Sequence, residues 1–151
     1  MTTEELKRKL RDEISERERE IDNLREQLSE IYMKEAGDFS NSYVKYIDDG
    51  GKYHFMRVDY QDVAYPSACL ILGGSILRLD ADPLDEDFTA YDIDNVSYEN
   101  YAEVHVMPIV FKENGVAKVT RITKEDYETA VERCLGSIRE NALMFQHPES
   151  Q

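Results

Sequence analysis

The chain has 151 residues, of which 41% are hydrophobic and 33% charged, and its 32 acidic and 18 basic residues give a net charge of −14. This length corresponds to about one domain. Ten tyrosines and five phenylalanines argue against disorder, because disordered chains are poor in aromatic residues. The charge disfavours direct binding to nucleic acid or to anionic membranes, and it favours basic protein surfaces or cations as partners.

The N-terminal residues and the cysteines favour a cytoplasmic location. Charged residues begin at Glu4, unlike a secretory signal, and no apolar run approaches the roughly 20 residues that span a bilayer. Cys69 and Cys134 are too few for a disulfide framework, and each lies in an apolar pattern. We therefore expect two buried, reduced thiols.

Residues 3–35 predict one long helix. Thr2 and Glu5 fit a capping box, and Gly37 predicts the helix end. Between Ile14 and Ile31 the apolar spacings are seven, three, four and three, which is the a/d seam of a coiled coil. We therefore predict that residues 1–36 form a coiled-coil oligomerisation helix, with the contact residues Leu10, Ile14, Ile21, Leu24, Leu28 and Ile31.

The apolar seam is narrow and its flanks are charged, which favours pairing with a second copy of the helix. Packing of the single helix across its own domain is the alternative. Arg17 falls at a d position and interrupts the seam. In a parallel pair Glu20 and Arg25 would attract, but Glu13 and Glu18 would repel, so the sequence leaves the direction of pairing open.

Residues 42 to about 122 predict β structure. The segments "YVKYID" and "KYHFMRVDY" flank a glycine-containing turn and predict a hairpin, and "SACLIL" and "SILRLD" predict a second one around Gly73-Gly74. The segment "YAEVHVMPIVF" alternates with period two and turns at "KENG" into "VAKVTRI", after the short pieces "FTAYDI" and "VSYEN". Five to seven short strands indicate a small antiparallel β-barrel or a strongly bent sheet.

Residues 124–146 predict a second helix, with Thr123 as its N-cap. Its broad apolar face suits it to cover the sheet and consists of Tyr127, Val131, Cys134, Leu135, Ile138, Ala142 and Phe145. The predicted fold is therefore α+β, with a long N-terminal coiled-coil helix, a small barrel or bent sheet and a C-terminal covering helix. The predicted units are the helix 1–36, a compact β domain 37–146 and a tail 147–151.

An acidic stretch lies in the middle of the chain. Residues 79–111 carry nine acidic residues and no Lys or Arg, which is nearly two-thirds of the net charge. Counted from Asp80, an EF-hand would need Gly at the sixth position and Glu at the twelfth, where Asp85 and Tyr91 stand. The carboxylates lie in a predicted exposed loop without a visible cleft, which disfavours glycoside hydrolysis.

Two interpretations of the acidic stretch stay open. It is either a solvated edge that resists strand addition or a surface for a basic partner. Interleaved aromatic residues favour the partner surface, because aromatic anchors are enriched at protein interfaces. The residues of that surface would be Asp80, Asp82, Asp85, Glu86, Asp87, Tyr91, Asp92, Asp94, Tyr98 and Glu99.

The other candidate catalytic or metal-binding residues do not form a recognisable motif in the sequence. His54 and His105 lie in predicted strands, and Glu103 is the one plausible neighbour of His105. Neither histidine has the ligand spacing of a zinc site, and neither cysteine lies in a nucleophile motif. Gly73-Gly74 predicts a tight turn. We therefore expect no catalytic residue, no metal and no cofactor.

The hairpin "YVKYIDDGGKYHFMRV" and the helix start "ITKEDYETAVE" resemble small uncharacterised proteins of phages and other mobile elements. In those proteins a Tyr-x-Lys-Tyr strand opens a compact β domain, and an Ile-Thr-x-Glu helix start closes it. The resemblance covers residues 43–132 and carries no functional residue over. It implies a phage-encoded inhibitor or accessory factor that acts in the host cytoplasm.

The leading functional hypothesis is a non-enzymatic, homo-oligomeric protein-interaction module. It would present the acidic stretch to a basic partner, such as a protein that otherwise holds nucleic acid. The alternatives are a β-barrel that sequesters a small molecule and a structural protein whose coiled coil supplies assembly.

Overall fold

The computed structural model describes residues 1–64, 69–89, 96–107, 109–113 and 115–146, with side chains described up to Leu135. The described part holds two helices and seven strands: α1 (Thr3–Ala36), β1 (Tyr43–Ile47), β2 (Tyr53–Ala64), β3 (Cys69–Leu79), β4 (Ser97–Val106), β5 (Phe111–Lys112), β6 (Gly115–Val116), β7 (Val119–Ile122) and α2 (Lys124–Gln146). Neither helix is long and apolar enough to cross a membrane. The predicted α+β class is confirmed.

Helix α1 begins and ends where the sequence predicts. The Glu5 amide donates to the Thr2 hydroxyl at 3.2 Å, and the Thr2 amide donates to the Glu5 carboxylate at 3.3 Å, which completes the capping box. Gly37 ends the helix with a φ of 77°, a conformation that a residue without a Cβ adopts most easily. The last turns dock on the domain through Tyr32, whose ring stacks on Phe111 with centroids 5.6 Å apart.

Five strands form one antiparallel sheet in the order β4-β3-β2-β1-β7, and β5 pairs with β6 as a separate two-stranded sheet. The strands β4 and β7 are the two edges, so the sheet is open in the described part of the chain. The antiparallel sheet is confirmed, and a closed barrel is not. The register shifts between Val58 and Tyr60 and between Gly74 and Ile76, which marks bulges that bend the sheet.

Side chains cover both faces of the sheet. The face toward α1, which we call the α1 face, carries a buried cluster that includes Val44, Met56, Val58, Leu72, Ile76 and Val104. The face toward α2, the α2 face, carries Phe55, Leu77 and Leu79 beneath Tyr127, Ala130 and Cys134. The covering role of the second helix is therefore confirmed, and the Asp126 amide donates to the Thr123 hydroxyl at 3.0 Å, as an N-cap predicts.

The predicted turn at Gly73-Gly74 is wrong. Both glycines lie inside β3, which runs without a break from Cys69 to Leu79 and pairs with β2 and β4. A Cβ at Gly73 would stand 2.0 Å from the ring of Tyr60, and one at Gly74 would stand 2.0 Å from the carbonyl oxygen of Arg57. The glycines are needed because neighbouring atoms approach the backbone closely.

Strand β4 follows the predicted alternation but ends at Val106, before the end of the predicted segment "YAEVHVMPIVF". Ala102, Val104 and Val106 point toward the α1 face, as the period-two pattern predicts, although the segments around "VSYEN" and "YAEVHV" form one strand. The paired strands β5 and β6 flank the predicted "KENG" turn, and β7 then joins the sheet beside β1. The predicted strand "FTAYDI" is not confirmed, because Phe88 and Thr89 are not in a strand and the rest lies outside the described residues.

Candidate functional site

A row of exposed apolar side chains runs along α1. Leu24 is 63% exposed, Ile14 is 55% exposed and Ile31 is 52% exposed, and the other exposed members are Leu6, Leu10 and Ile21. Leu28 is half-buried. The helix of the coiled-coil prediction is therefore confirmed, and a partner for it stays a prediction. An exposed apolar stripe of this kind, although interrupted at Arg17, is typical of an interaction surface.

The base of α1 is held so that this seam stays accessible. Met33 and Ala36 face the sheet, with Ala36 fully buried, while Ile31 points away from it. Gln61 fixes the junction after the helix: its side-chain oxygen accepts from the Phe39 amide at 2.8 Å, and its nitrogen donates to the Gly37 carbonyl at 2.8 Å. The helix thus leaves the domain at a defined angle.

The acidic stretch after β3 is a structured turn. Asp82 pairs with Lys45 at 2.8 Å and also accepts from the Leu84 amide at 3.0 Å. The guanidinium of Arg133 on α2 donates to the Pro83 carbonyl at 2.7 Å. Leu84 and Phe88 pack against the cluster on the α2 face. The turn is therefore held by two basic residues that are distant in the sequence.

The predicted partner-binding residues separate into four groups. Asp80, Asp85, Glu86 and Asp87 are exposed, and no Lys, Arg or His nitrogen lies within 4.0 Å of their carboxylates among the described residues. Asp82 and Glu99 are already paired, Glu99 with Arg78 at 3.1 Å. Tyr98 is exposed on edge strand β4. Tyr91, Asp92 and Asp94 lie outside the described residues.

The exposed acids and the first half of β4 lie at the same end of the sheet. Ser97 and Tyr98 pair with Arg78 and Leu77, directly before the acidic turn begins at Asp80. The residues from Ser97 to Tyr101 are all exposed, and Tyr101 reaches 93% exposure. We call the acidic turn 80–89 together with residues 97–101 the acidic surface.

The predicted proximity of Glu103 and His105 is confirmed, and Tyr60, which the sequence did not suggest, joins them in a polar network. Glu103 accepts a hydrogen bond from the hydroxyl of Tyr60 and lies 3.2 Å from the ring of His105. These contacts hold the pKa of the Glu103 carboxyl below its usual range, first through Tyr60 and then through His105. The spacing of Glu103 and His105 was a usable signal, but Tyr60 joins them across β3, where Gly73 leaves room for its ring.

The two cysteines and His54 are buried in the domain, which favours a structural role for each of them. Cys69 and Cys134 are both buried and free, as expected, and burial raises the pKa of the Cys134 thiol to about 11. A nucleophilic thiol needs the opposite shift. His54 is buried in β2, and its Nε2 lies 3.0 Å from the Asp48 carboxylate. No cluster of three or more His, Cys, Asp and Glu residues that could hold a metal ion occurs among the described residues.

The chain matches no family model, no curated protein and no solved structure. The resemblance to phage proteins therefore stays a hypothesis, and the two surfaces described above are the basis for any functional proposal.

Proposed function

We propose that the chain is a homo-oligomeric protein-interaction module without enzymatic activity. Helix α1 joins copies of the chain, and the acidic surface binds a basic partner, as an inhibitor or accessory factor would. The observation that carries the proposal is the exposed seam of α1. The helix has 34 residues and exposes apolar side chains along one narrow stripe. Burying this stripe against a matching helix would be favourable, because it removes apolar surface from water.

Deletion of residues 1–26 tests self-association. This deletion removes most of the seam but keeps Tyr32, Met33 and Ala36, which pack on the sheet and support the domain. We expect the intact chain to sediment as an oligomer in analytical ultracentrifugation and the shortened chain to sediment as a monomer. An unchanged oligomeric state after the deletion would show that α1 is not the interface.

The acidic surface supports the second half of the proposal. The acidic turn follows the end of β3 that pairs with Tyr98, and Tyr98 and Tyr101 are exposed on β4, so a basic partner at this end of the sheet would meet both charge and aromatic area. Asp82 is excluded from the binding set because its carboxylate is engaged by Lys45 and by the backbone of its own turn. The exposed carboxylates that remain in the turn are Asp80, Asp85, Glu86 and Asp87, of which the last three are consecutive.

A triple variant tests the acidic surface. Asp85→Asn, Glu86→Gln and Asp87→Asn remove three charges without touching Asp82. Asp12→Asn, Glu16→Gln and Glu26→Gln remove the same charge from the outer side of α1 and serve as control. We expect a basic protein captured from host lysate by the intact chain to be lost with the first variant or at high salt, and kept with the control. Equal capture by both variants would contradict this half of the proposal.

The structural-assembly alternative is favoured by the same exposed seam and differs in needing no partner. It predicts that oligomers form and that the intact chain captures no basic protein that is lost at high salt. The sequestering barrel would need an open interior, whereas the described strands carry packed side chains on both faces. A rise in melting temperature with a small molecule alone would support the barrel.

A further inference from the structure

We propose that α1 pairs with α1 of a second copy in the antiparallel direction, in the register that places Ile21 opposite Leu24 of the second copy. This inference rests on the proposed self-association. It adds the direction and register of pairing, which the heptad pattern leaves open, and it determines how the two β domains are arranged.

The seam residues other than Leu28, which is half-buried, are exposed and open to a second helix. In the last turns of α1, the apolar side chains that pack against the core of the domain are Tyr32, Met33 and Ala36, at positions e, f and b of the heptad. These positions lie on one flank and on the outer side of the helix, not on the a/d seam. Ile31, a seam residue in the same turns, is 52% exposed. A second helix therefore reaches the seam as far as Ile31 without displacing the domain.

A parallel pair would place like charges together. Each residue at a or d faces its own copy in a parallel pair, so Arg17 would face Arg17 in the core layer. Flanking residue g faces e of the next heptad, so Glu13 would lie beside Glu18 of the second copy. The attraction between Glu20 and Arg25 offsets only the second of these repulsions.

The antiparallel pair removes both repulsions from the core and the flank. In this direction position a faces d, so Arg17 lies against Leu28 of the second copy and covers it with its aliphatic stem. Ile21 then faces Leu24, and Ile14 faces Ile31. The aliphatic layers are continuous on both sides of each arginine.

The charged flanks become complementary in the same register. An antiparallel pair brings e beside e and g beside g. Glu18 then lies beside Arg25 of the second copy, and Glu13 lies beside Lys34, each contact occurring twice by symmetry. Arg25 already contacts Asp22 of its own helix at 3.7 Å, and a guanidinium with five donors serves two carboxylates. No pair of like charges faces across these flanks.

Neighbouring registers lose this complementarity. A shift by one heptad toward the N-terminus places Glu18 beside Glu18 of the second copy and Glu20 beside Glu20 of the second copy. A shift toward the C-terminus brings Arg25 beside Arg25 and leaves Ile14 without an apolar partner, while Leu10, which faces Glu35 in the proposed register, has no apolar partner in either. Charge and apolar contact therefore select one register.

Packing preferences do not oppose this direction. Ile at a with Leu at d favours parallel dimers, and Ile14, Ile21 and Leu24 follow that rule. Leu28 at a and Ile31 at d reverse it, so the rule does not hold along the whole seam.

The arrangement places the two β domains at opposite ends of the paired helices. The overlap spans about 28 residues, which corresponds to roughly 40 Å at 1.5 Å per residue. The dimer would thus carry one acidic surface at each end and could engage two basic sites at once. A parallel dimer would place both domains at one end.

Engineered cysteines test the direction. The antiparallel register predicts that Ile21→Cys alone and Leu24→Cys alone form little disulfide under mild oxidation, whereas a mixture of the two variants forms a disulfide-linked dimer. The native Cys69 and Cys134 are buried, so the unmodified chain serves as the background control. Disulfide formation by each variant alone, without gain on mixing, would overturn the antiparallel direction.

A charge variant tests the register independently and leaves the seam intact. Glu18→Lys places an ammonium group beside Arg25 in the antiparallel pair, and we expect the dimer Kd to rise roughly tenfold. The added change Arg25→Glu should restore the Kd. A parallel pair predicts the opposite first result, because the introduced lysine would then attract Glu13, and a tighter dimer would overturn the proposal.

The two levels of the proposal fail in different ways. A chain that sediments as a monomer at all concentrations would remove the self-association itself. A stable dimer that gives the parallel cysteine pattern and a tighter Glu18→Lys variant would leave self-association in place and remove the antiparallel register.

Discussion

The two helices of this chain use their apolar residues in different ways. Helix α2 has a broad apolar face, and Tyr127, Ala130 and Cys134 on it are buried against the sheet. Helix α1 has a narrow seam with charged flanks, and its seam residues up to Leu24 are exposed. The width of the stripe thus separates a helix that completes its own domain from one that is free to pair with another chain.

A charged substitution in the seam of α1 should give the largest effect, which is a loss of self-association without a change in the domain. We expect Leu24→Asp to raise the Kd of self-association at least about 100-fold, because each dimer would bury two unpaired carboxylates. The fold of the domain should not change, since Leu24 is 63% exposed in the single chain. Sedimentation measures the first effect, and fluorescence of the tyrosines, which all lie beyond residue 31, measures the second.

Asn23→Asp is the matched control for that substitution. It adds the same charge at the neighbouring position, which lies on the outer side of the helix. The seam interpretation would be wrong if both variants shifted the oligomer mass equally.

Beneath α2, a truncation should instead reduce the stability of the domain. Leu77 is fully buried in the cluster on the α2 face, and Leu77→Ala should lower the free energy of unfolding by about 2–5 kcal/mol. Leu6→Ala, at an exposed position of α1, should change it by less than about 0.5 kcal/mol. Urea unfolding of both variants checks the contrast. A small effect at Leu77 would mean that α2 does not pack as described.

Local sequence signals predicted the parts of the fold that depend on local physics. The capping box at Thr2, the stop at Gly37 and the cap at Thr123 each satisfy nearby backbone groups, so they are visible in a few adjacent letters. The alternation in β4 was visible for the same reason. The two helices and the antiparallel character of the sheet were therefore predictable from the sequence.

Contacts between distant residues were not predictable. Gly73-Gly74 gives the same letters as a tight turn, and only the approach of Tyr60 and Arg57 from β2 shows why glycine is required within a strand. The bulge near Val58 reverses the alternation, so Val58 and Val63 face the same cluster although they are separated by an odd number of residues.

The two candidate surfaces also differ in how far they depend on local sequence patterns or on contacts between distant residues. The seam of α1 was predicted residue by residue because a heptad is a local pattern. The acidic stretch was predicted from its charge and its interleaved aromatic residues, and the pairing of Asp82 with Lys45 across 37 positions could not be seen in the sequence. The pairing of Glu99 with Arg78 depends in turn on the register of β3 and β4.

The N-caps offer a smaller test of the same comparison, since each helix has a threonine cap. Thr123→Ala should lower the stability of the domain by about 1 kcal/mol, because α2 is packed and its first turn cannot fray without loss of contacts. Thr2→Ala should fray only the exposed start of α1 and leave urea unfolding of the domain unchanged. Serine at either position retains the hydroxyl and is the control. If both alanine variants lowered the stability of the domain equally, the start of α1 would not be independent of the domain.

The smallest expected effect is a pH dependence that belongs to the domain and not to the seam. His54 is buried in β2, and burial lowers the pKa of its imidazole more strongly than the nearby Asp48 carboxylate raises it. Asp48 itself has a pKa held below its usual range, first by the hydrogen bond with His54, so it stays ionised while the histidine titrates. Helix α1 contains no histidine.

The sign of the effect follows from these shifts. Below the unfolded pKa of about 6.5 the unfolded chain binds a proton that the folded chain resists, so stability is full above that pH and is lost as the pH falls toward the lower folded value. We expect the melting temperature to fall between pH 7.5 and pH 5.5 by more in the intact protein than in His54→Gln, whereas His105→Gln, at an exposed position, should behave like the intact protein. The dimer Kd should stay constant across the same window, because α1 contains no histidine. An equal fall of the melting temperature in the intact protein and in His54→Gln would show that the imidazole is not the source of the pH dependence. A dimer Kd that changes together with the melting temperature would show that the seam and the domain are coupled.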